Sequence, residues 1–161
     1  MKIALAADHR GAEVLPRVAQ SLEASGFAVQ RFQSCQEGSV DYPDVAYPVA
    51  SAVSRREVDL GVLICGTGIG MCIAANKVPG VRAALVHDEI GADMSRRHND
   101  ANLLCLPADL LGVQLIHKIV HKWVRTGFDG GRHARRVRKI EAIERGQDPC
   151  SVIDLPSELA G

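Results

Sequence analysis

Residues 58–78, VDLGVLICGTGIGMCIAANKV, decide the fold of this chain. The run 60–65 is short, apolar and rich in β-branched residues, which is typical of a strand buried on both faces of a parallel sheet. Three glycines on alternate positions then allow a tight turn, and the helix formers after it predict that a helix follows. Free N–H groups and the helix dipole favour an anion at such a turn. The sequence therefore predicts a thiol, Cys65, beside an anion-binding turn.

The glycine turn is a weak signal when it is taken alone. It matches neither GxxxxGK[ST] nor GxGxxG, so a strand-to-helix turn without chemistry is a real alternative. A buried cysteine is also more often inert than reactive. Only the position of Cys65 at the carboxyl end of a strand, where open α/β sheets bind their ligands, favours a functional role.

Composition narrows the class of protein. The 161 residues suit one domain, and 19 basic residues balance 19 acidic ones, so no global charge favours nucleic acid or a membrane surface. Aromatic residues make up only 4 %, which argues against base stacking. The five cysteines form no CxxC pair, and no secretory signal or long apolar run is present, so we expect a cytoplasmic protein with reduced thiols.

Predicted strands and helices alternate along the chain. The strands are 2–7, 27–32, 60–65, 81–86 and 102–106, and the helices are 13–24, 44–53, one after the glycine turn, 88–97 and 110–125. This alternation predicts an α/β fold: a single-domain three-layer α/β/α sandwich on a Rossmann-like five-stranded parallel sheet, with an extra C-terminal basic helix. We assign residues 1–145 to this domain and 146–161 to a C-terminal tail.

The extra helix, residues 132–145, carries six Lys or Arg residues against two Glu, with an apolar stripe at helical spacing. A solvated helix that packs by this stripe is the simplest interpretation. Arg132 and Arg136 are four residues apart, however, so both can face one way and bind a phosphate.

Polar residues follow several predicted strands, and the carboxyl ends of parallel strands share one edge. Asp8 and His9 follow the first strand, Cys65 ends the third, and His87 follows the fourth. With His98, which precedes the fifth strand, they are candidates for one cleft that moves protons. For His9 and His98, a role as a polar turn residue without catalytic function is an about equally good interpretation.

The remaining histidines and cysteines favour structural roles. His117 and His121 lie four apart on a helix, but no third ligand accompanies them, so a metal pair is the weaker interpretation. Cys72 and Cys105 are expected to be packing residues, and Cys35 and Cys150 to lie in loops.

Six motifs in one order resemble the type B ribose-5-phosphate isomerases, whose fold the galactose-6-phosphate isomerase subunits share. The motifs are DHRG (8–11), DYP (41–43), CGTGIGM (65–71), AANK (74–77), HNDAN (98–102) and GGRHARR (130–136). The resemblance covers about residues 1–145. One branch of the family has a glutamate in the glycine loop and lacks the cysteine; Met71 and Cys65 place this chain with the branch that uses cysteine.

The resemblance implies an aldose–ketose isomerisation through a cis-enediolate, with Cys65 as the base in its thiolate form. We expect the N–H turn to lower the pKa of Cys65. His98, with Thr67 and Asp8, would open the sugar ring, and Asn99 would bind hydroxyl groups. The remaining loop residues would hold the enediolate oxygens: Gly66, Gly68, Ile69 and Gly70.

The resemblance also implies how the phosphate is bound. His9 would hold it together with Arg132 and Arg136, which the family contributes from the other subunit of a homodimer, or of a tetramer built from dimers. The monomer would then lack a complete active site. Proton transfer of this kind needs no metal and no organic cofactor.

Several functions stay open at this point. Ribose 5-phosphate and ribulose 5-phosphate are the first choice of substrate, and allose 6-phosphate, galactose 6-phosphate or a tetrose phosphate are alternatives. A non-catalytic sugar-phosphate-binding module would need the anion loop but no base, so Cys65, Thr67 and His98 together argue against it. A thiol redox protein lacks a resolving cysteine at CxxC spacing.

Overall fold

The computed structural model describes residues 1–33 and 40–153. These residues form one parallel five-stranded sheet in the order β2-β1-β3-β5-β4. The strands are β1 (Lys2–Ala7), β2 (Ala28–Arg31), β3 (Leu60–Cys65), β4 (Ala83–Leu85) and β5 (Leu103–Pro107). The helices are α1 (Leu15–Ala24), α2 (Tyr42–Ser54), α3 (Ile69–Ala75), α4 (Glu89–Asn99), α5 (Val113–Arg125) and α6 (Arg132–Glu144). The predicted α/β sandwich is confirmed.

Two apolar layers cover the sheet. Helices α1 and α5 pack on one face, where Trp123 is fully buried, and α2 and α3 pack on the other. Every residue of β3 is buried, as expected for a central parallel strand. Gly61 in β3 lets α2 approach closely, since a Cβ there would lie 2.9 Å from Val49 Cγ1. No helix among the described residues is long and apolar enough to cross a membrane.

Helix α4 is longer than predicted, and this changes the place of two candidate residues. The sequence predicts that this helix ends at residue 97, whereas the structure continues it through His98 and Asn99. Asp100 ends it in the left-handed conformation, with φ of 44°, and its N–H donates to Arg96 O at 3.1 Å. His98 and Asn99 therefore lie in the last helical turn rather than in a loop.

The described part of the predicted tail contacts α6. Residues 149–151 form a short 3-10 helix capped by Asp148, whose Oδ1 accepts from Cys150 N at 2.8 Å. Arg138 Nη2 donates to Ile153 O at 2.8 Å. Cys35 and residues 154–161 lie outside the described residues, so the predictions for Cys35 and for the end of the tail stay predictions.

The carboxyl ends and the amino ends of the parallel strands lie on opposite sides of the fold, which we call the carboxyl edge and the amino edge. All strands point their carboxyl ends to one edge, where the residues after β1, β3 and β5 gather. Helix α4 runs back across the sheet, from Asp88 after β4 to Asn99 before β5. The end of α4 is therefore at the amino edge, and Arg82 Nε at the start of β4 donates there to Asp100 O at 2.9 Å.

Candidate active site in two halves

Cys65 ends β3 at the carboxyl edge and is 5 % exposed. Its Sγ accepts the Gly68 N–H at 3.1 Å, which places the sulfur inside the glycine turn. Gly68 takes a φ of 74°, and a Cβ there would collide with Leu85. Glycine is favoured at this position, because the left-handed backbone conformation strains other residues and a Cβ would also force Leu85 to move. The predicted strand, tight turn and helix are confirmed in this order.

The predicted pKa shift of Cys65 is wrong in the single chain. Burial raises the pKa of the Cys65 thiol, and the negative charge of Asp8 raises it further. The N–H groups of Gly68, Met71 and Thr67 act in the expected direction, but they do not outweigh burial. The N–H turn can be predicted from the sequence, but the complete burial of β3 depends on the helices that cover it.

The turn after β1 lies next to this thiol. Asp8 N donates to Ile64 O at 3.1 Å, which fastens the turn to β3. The Asp8 carboxylate accepts the Arg10 N–H at 2.8 Å and the Gly11 N–H at 3.3 Å, so Asp8 also holds the turn together. His9 is exposed at the same edge. We call Asp8, His9, Cys65 and residues 66–70 the first half-site.

Three further residues at the carboxyl edge were not predicted as site residues from the sequence. Tyr42 at the start of α2 stands over the loop, since a Cβ on Gly70 would lie 2.7 Å from its ring. Arg10 and Asp109 form an ion pair beside Gly66, at 2.8 Å between Nη2 and Oδ1. The position of Asp109, two residues after β5, was the available signal, because it follows a parallel strand just as Asp8 does.

The second half-site, at the amino edge, comprises His98, Asn99, Arg132, His133 and Arg136. The rings of His98 and His133 stack in parallel, 4.1 Å between centroids, and join α4 to α6. Arg136 Nη1 lies 3.5 Å from His133 Nδ1. Burial, the His98 ring and both arginines lower the pKa of His133. The basic helix thus places its arginine pair beside His98, at a surface suited to an anion.

The two half-sites of one chain are far apart. Strand β5 pairs Leu103 with Gly61 and Pro107 with Cys65, so the edges are separated by four residue steps, about 13 Å along the strand. Cys65 lies at one end of this span, and His98 precedes the other end. The structure therefore brings Asp8, His9 and Cys65 together but does not bring His98, Asn99 or the arginine pair to them within one chain.

Other polar residues have structural explanations or poor geometry. Asp88 caps α4 by accepting the Gly91 N–H at 2.6 Å, and His121 Nε2 lies 2.7 Å from Ser21 Oγ. His98, His133 and Asp129 place ligand atoms within 4.8 Å of one another. The two rings are parallel and Arg97 already pairs with Asp129 at 3.1 Å, so this group would have to rearrange to hold a metal ion.

Cys72 packs against the core on the α2 and α3 side of the sheet, as predicted. Hydrogen bonding by Cys105 lowers the pKa of Cys72 to about 7, against the effect of burial. Cys105 is itself fully buried, which raises the pKa of its own thiol. This thiol lies one turn into α3 and is distinct from Cys65.

The fold corresponds to that of a known class of enzymes. A family model described as Ribose/Galactose Isomerase matches residues 3–140. The chain belongs to this family, and it is an isomerase.

Individual relatives are similar to this chain over most of its length. Ribose-5-phosphate isomerase B of Escherichia coli (strain K12) is 41 % identical over 144 residues, 89 % of this chain and 97 % of that protein. A solved structure of Clostridium thermocellum ribose-5-phosphate isomerase B is 47 % identical, with a TM-score of 0.87, and the match covers 91 % of this chain and 99 % of that one. D-erythrulose-4-phosphate isomerase of Pectobacterium atrosepticum is 38 % identical, over 89 % of this chain and 95 % of that protein.

Proposed function

We propose that this protein interconverts ribose 5-phosphate and ribulose 5-phosphate, with Cys65 as the base. The observation that carries the proposal is the Cys65 sulfur held in an N–H turn at the carboxyl end of β3. Its similarity to proteins named ribose-5-phosphate isomerase B supports the choice of substrate.

The reaction moves one proton between two carbons. The Cys65 thiolate removes the proton from C2 of the open-chain aldose, the C–H electrons form the C1=C2 bond, and the aldehyde oxygen becomes the enediolate oxyanion. The proton of the C2 hydroxyl is transferred to O1, which becomes the C1 hydroxyl, and the O2 electron pair forms the ketone C=O bond while the C1=C2 electrons take the proton that the Cys65 thiol returns to C1. N–H groups of residues 66–70 stabilise the negative oxygen in both steps.

The raised pKa of Cys65 has a consequence for this step. A thiol that holds its proton more tightly gives a stronger base once it is ionised, but less of it is ionised at neutral pH. Positive charge brought close to the sulfur would favour the thiolate. The second half-site carries such charge in Arg132 and Arg136, although on the opposite edge of the same chain.

A homodimer would bring together the two half-sites that lie on opposite edges of one chain. In the proposed homodimer, the first half-site of one copy faces the second half-site of the other, so that His98 and Asn99 cross the interface together with the two arginines. His98, with Thr67 and Asp8, opens the ring, Asn99 binds hydroxyl groups, and His9 binds the phosphate with the arginines. Ile73 on α3 is 58 % exposed and Ile143 on α6 is 60 % exposed, so both helices offer apolar surface to such a contact.

The first experiment is a coupled assay of purified protein without added metal. It compares ribose 5-phosphate with allose 6-phosphate, galactose 6-phosphate and a tetrose phosphate at matched concentrations. The highest kcat/KM on ribose 5-phosphate would support the proposal. Preference for another sugar would keep the mechanism and change the substrate, and no turnover of any of them would favour a binding module.

The role of Cys65 has its own test. Cys65→Ala should lower kcat by about 10²- to 10⁴-fold, the usual contribution of a general base, with little effect on phosphate affinity. Cys150→Ala is the matched control, because Cys150 is exposed on the 3-10 helix. Near-normal kcat in the Cys65 variant would show that another group is the base.

A tetrose phosphate is the best-supported alternative substrate. The observation in its favour is the similarity to D-erythrulose-4-phosphate isomerase, which is close to that of the Escherichia coli relative. The same base and the same N–H turn would serve a sugar shorter by one carbon, so the substrate comparison above decides between them.

A further inference from the structure

The Arg10–Asp109 ion pair crosses the carboxyl end of the strand that carries Cys65. Arg10 follows β1 and Asp109 follows β5, and β3 lies between these two strands. Arg10 Nε donates to both Asp109 oxygens at 3.0 Å, and Nη2 donates to Oδ1 at 2.8 Å. Asp109 N in turn donates to Gly66 O at 3.0 Å. The pair is therefore anchored to the first residue of the glycine loop.

Gly66 shows how closely the pair approaches the loop. A Cβ on Gly66 would lie 2.7 Å from Asp109 Oδ2 and 3.5 Å from Arg10 Cγ. Cys65 packs with the α2 and α3 side of the sheet, while its neighbour Ile64 packs with the α1 and α5 side. Because side chains alternate along a strand, the ion pair borders the loop on the side away from the Cys65 sulfur.

The carboxylates at the carboxyl edge would repel an anionic substrate unless a cation lies beside them. The first half-site contains the Asp8 carboxylate, and Asp109 adds a second one, whereas a sugar phosphate is itself an anion. Arg10 is next to His9 in sequence, and three of its five N–H donors have no partner among residues 1–33 and 40–153. Its side chain is 55 % exposed, so these donors are accessible.

We propose that Arg10 binds the substrate phosphate from the same chain as Cys65, and that Asp109 is a positioning residue that aims the guanidinium at the loop. This inference rests on the proposed function and extends it. The phosphate then meets cations from both copies: Arg10 and His9 from one, and Arg132 and Arg136 from the other.

An alternative role for Arg10 is to neutralise Asp109 without touching the substrate, and a double-mutant cycle separates the two. Arg10→Ala should raise KM for ribose 5-phosphate by about 10- to 100-fold with a small change in kcat. If Arg10 binds phosphate, Arg10→Ala/Asp109→Ala should have the same high KM. If Arg10 only neutralises Asp109, the double variant should return to the wild-type KM, which would overturn the proposal.

Asp109→Ala alone tests positioning. Arg10 keeps its charge in this variant but loses its anchor, so KM should rise by less than in Arg10→Ala, about 3- to 10-fold. An unchanged KM would overturn the positioning role. Arg55→Ala is the matched control, since Arg55 forms a comparable exposed pair with Glu57 at 2.7 Å beyond the end of α2.

Calorimetric titration with inorganic phosphate provides a readout without turnover. The wild-type protein should bind phosphate, and Arg10→Ala should bind it at least about 10-fold more weakly while Arg55→Ala binds normally. If the protein turns over no sugar phosphate, the proposed function fails, yet this titration still tests Arg10. Equal phosphate binding by wild type and Arg10→Ala, or no binding by the wild type, would overturn the proposal.

Discussion

Asn76 connects the end of α3 to the edge strand β4. Its Nδ2 donates to Ala83 O at 2.9 Å, and its Oδ1 accepts from Ala83 N at 2.9 Å, so one side chain satisfies a backbone donor and acceptor. Asn76→Ala leaves both groups without this partner and should lower the free energy of unfolding by about 1–3 kcal/mol.

Chemical denaturation of wild type and variant measures this difference. Gln114→Ala is the control, because Gln114 is exposed in the first turn of α5. An Asn76 variant as stable as the control would mean that water replaces both bonds. The AANK motif, quoted above as part of a resemblance, thus has a structural explanation in its third residue.

Cys72 and Cys65 differ in how readily they ionise. The pKa of Cys72 is lowered to about 7 and that of Cys65 is raised, so between pH 6 and 8 the thiolate fraction of Cys72 should increase first. Iodoacetamide should therefore modify Cys72 with a midpoint near pH 7, and Cys65 only at higher pH.

Peptide mass spectrometry across a pH series measures both midpoints in one sample. Cys72→Ser should remove the early event and leave that of Cys65. Modification of Cys65 before Cys72 would contradict the order, and it would indicate that assembly or bound anion lowers the pKa of Cys65 beyond what one chain does.

At the scale of elements, the contact between α2 and β3 depends on Gly61. A Cβ there would lie 2.9 Å from Val49 Cγ1 and 3.1 Å from Val53 Cγ2, and both valines are buried. Gly61→Ala should therefore lower the free energy of unfolding by about 1–3 kcal/mol through overpacking. Gly112→Ala is the matched control, since a Cβ at Gly112 meets nothing within 4 Å. Equal denaturation midpoints for the two variants would contradict the tight contact.

The elements also show what the sequence could predict. Alternating apolar runs were sufficient for the order of strands and helices, and Cys65 at the end of β3 followed from a single apolar run. The end of α4 was missed because Asp100 adopts a left-handed conformation that any local pattern leaves open. The raised pKa of Cys65 was missed because burial depends on the helices that cover β3, not on the N–H groups beside the sulfur.

At the scale of the whole molecule, positive and negative charges balance in number, but the charged residues of the two half-sites are unevenly distributed. One edge holds the thiol with Asp8 and Asp109, and the opposite edge holds Arg132, Arg136 and the stacked histidines. A resemblance could suggest that arginines cross a dimer interface, but only the direction of α4 reveals that His98 belongs with them. The proposed symmetric dimer with two shared sites would bring these opposite charges together.

Complementation between two inactive variants tests this assembly. Cys65→Ala removes the base from the first half-site, and His98→Ala/Arg136→Ala disables the second, so each protein alone should be nearly inactive. Mixing equal amounts with subunit exchange makes half of the dimers mixed, and each mixed dimer has one intact site of two. About a quarter of wild-type kcat should return. Mixing Cys65→Ala with the triple variant Cys65→Ala/His98→Ala/Arg136→Ala is the control and should restore nothing. Activity that does not return after verified exchange would mean that the two half-sites do not meet across an interface.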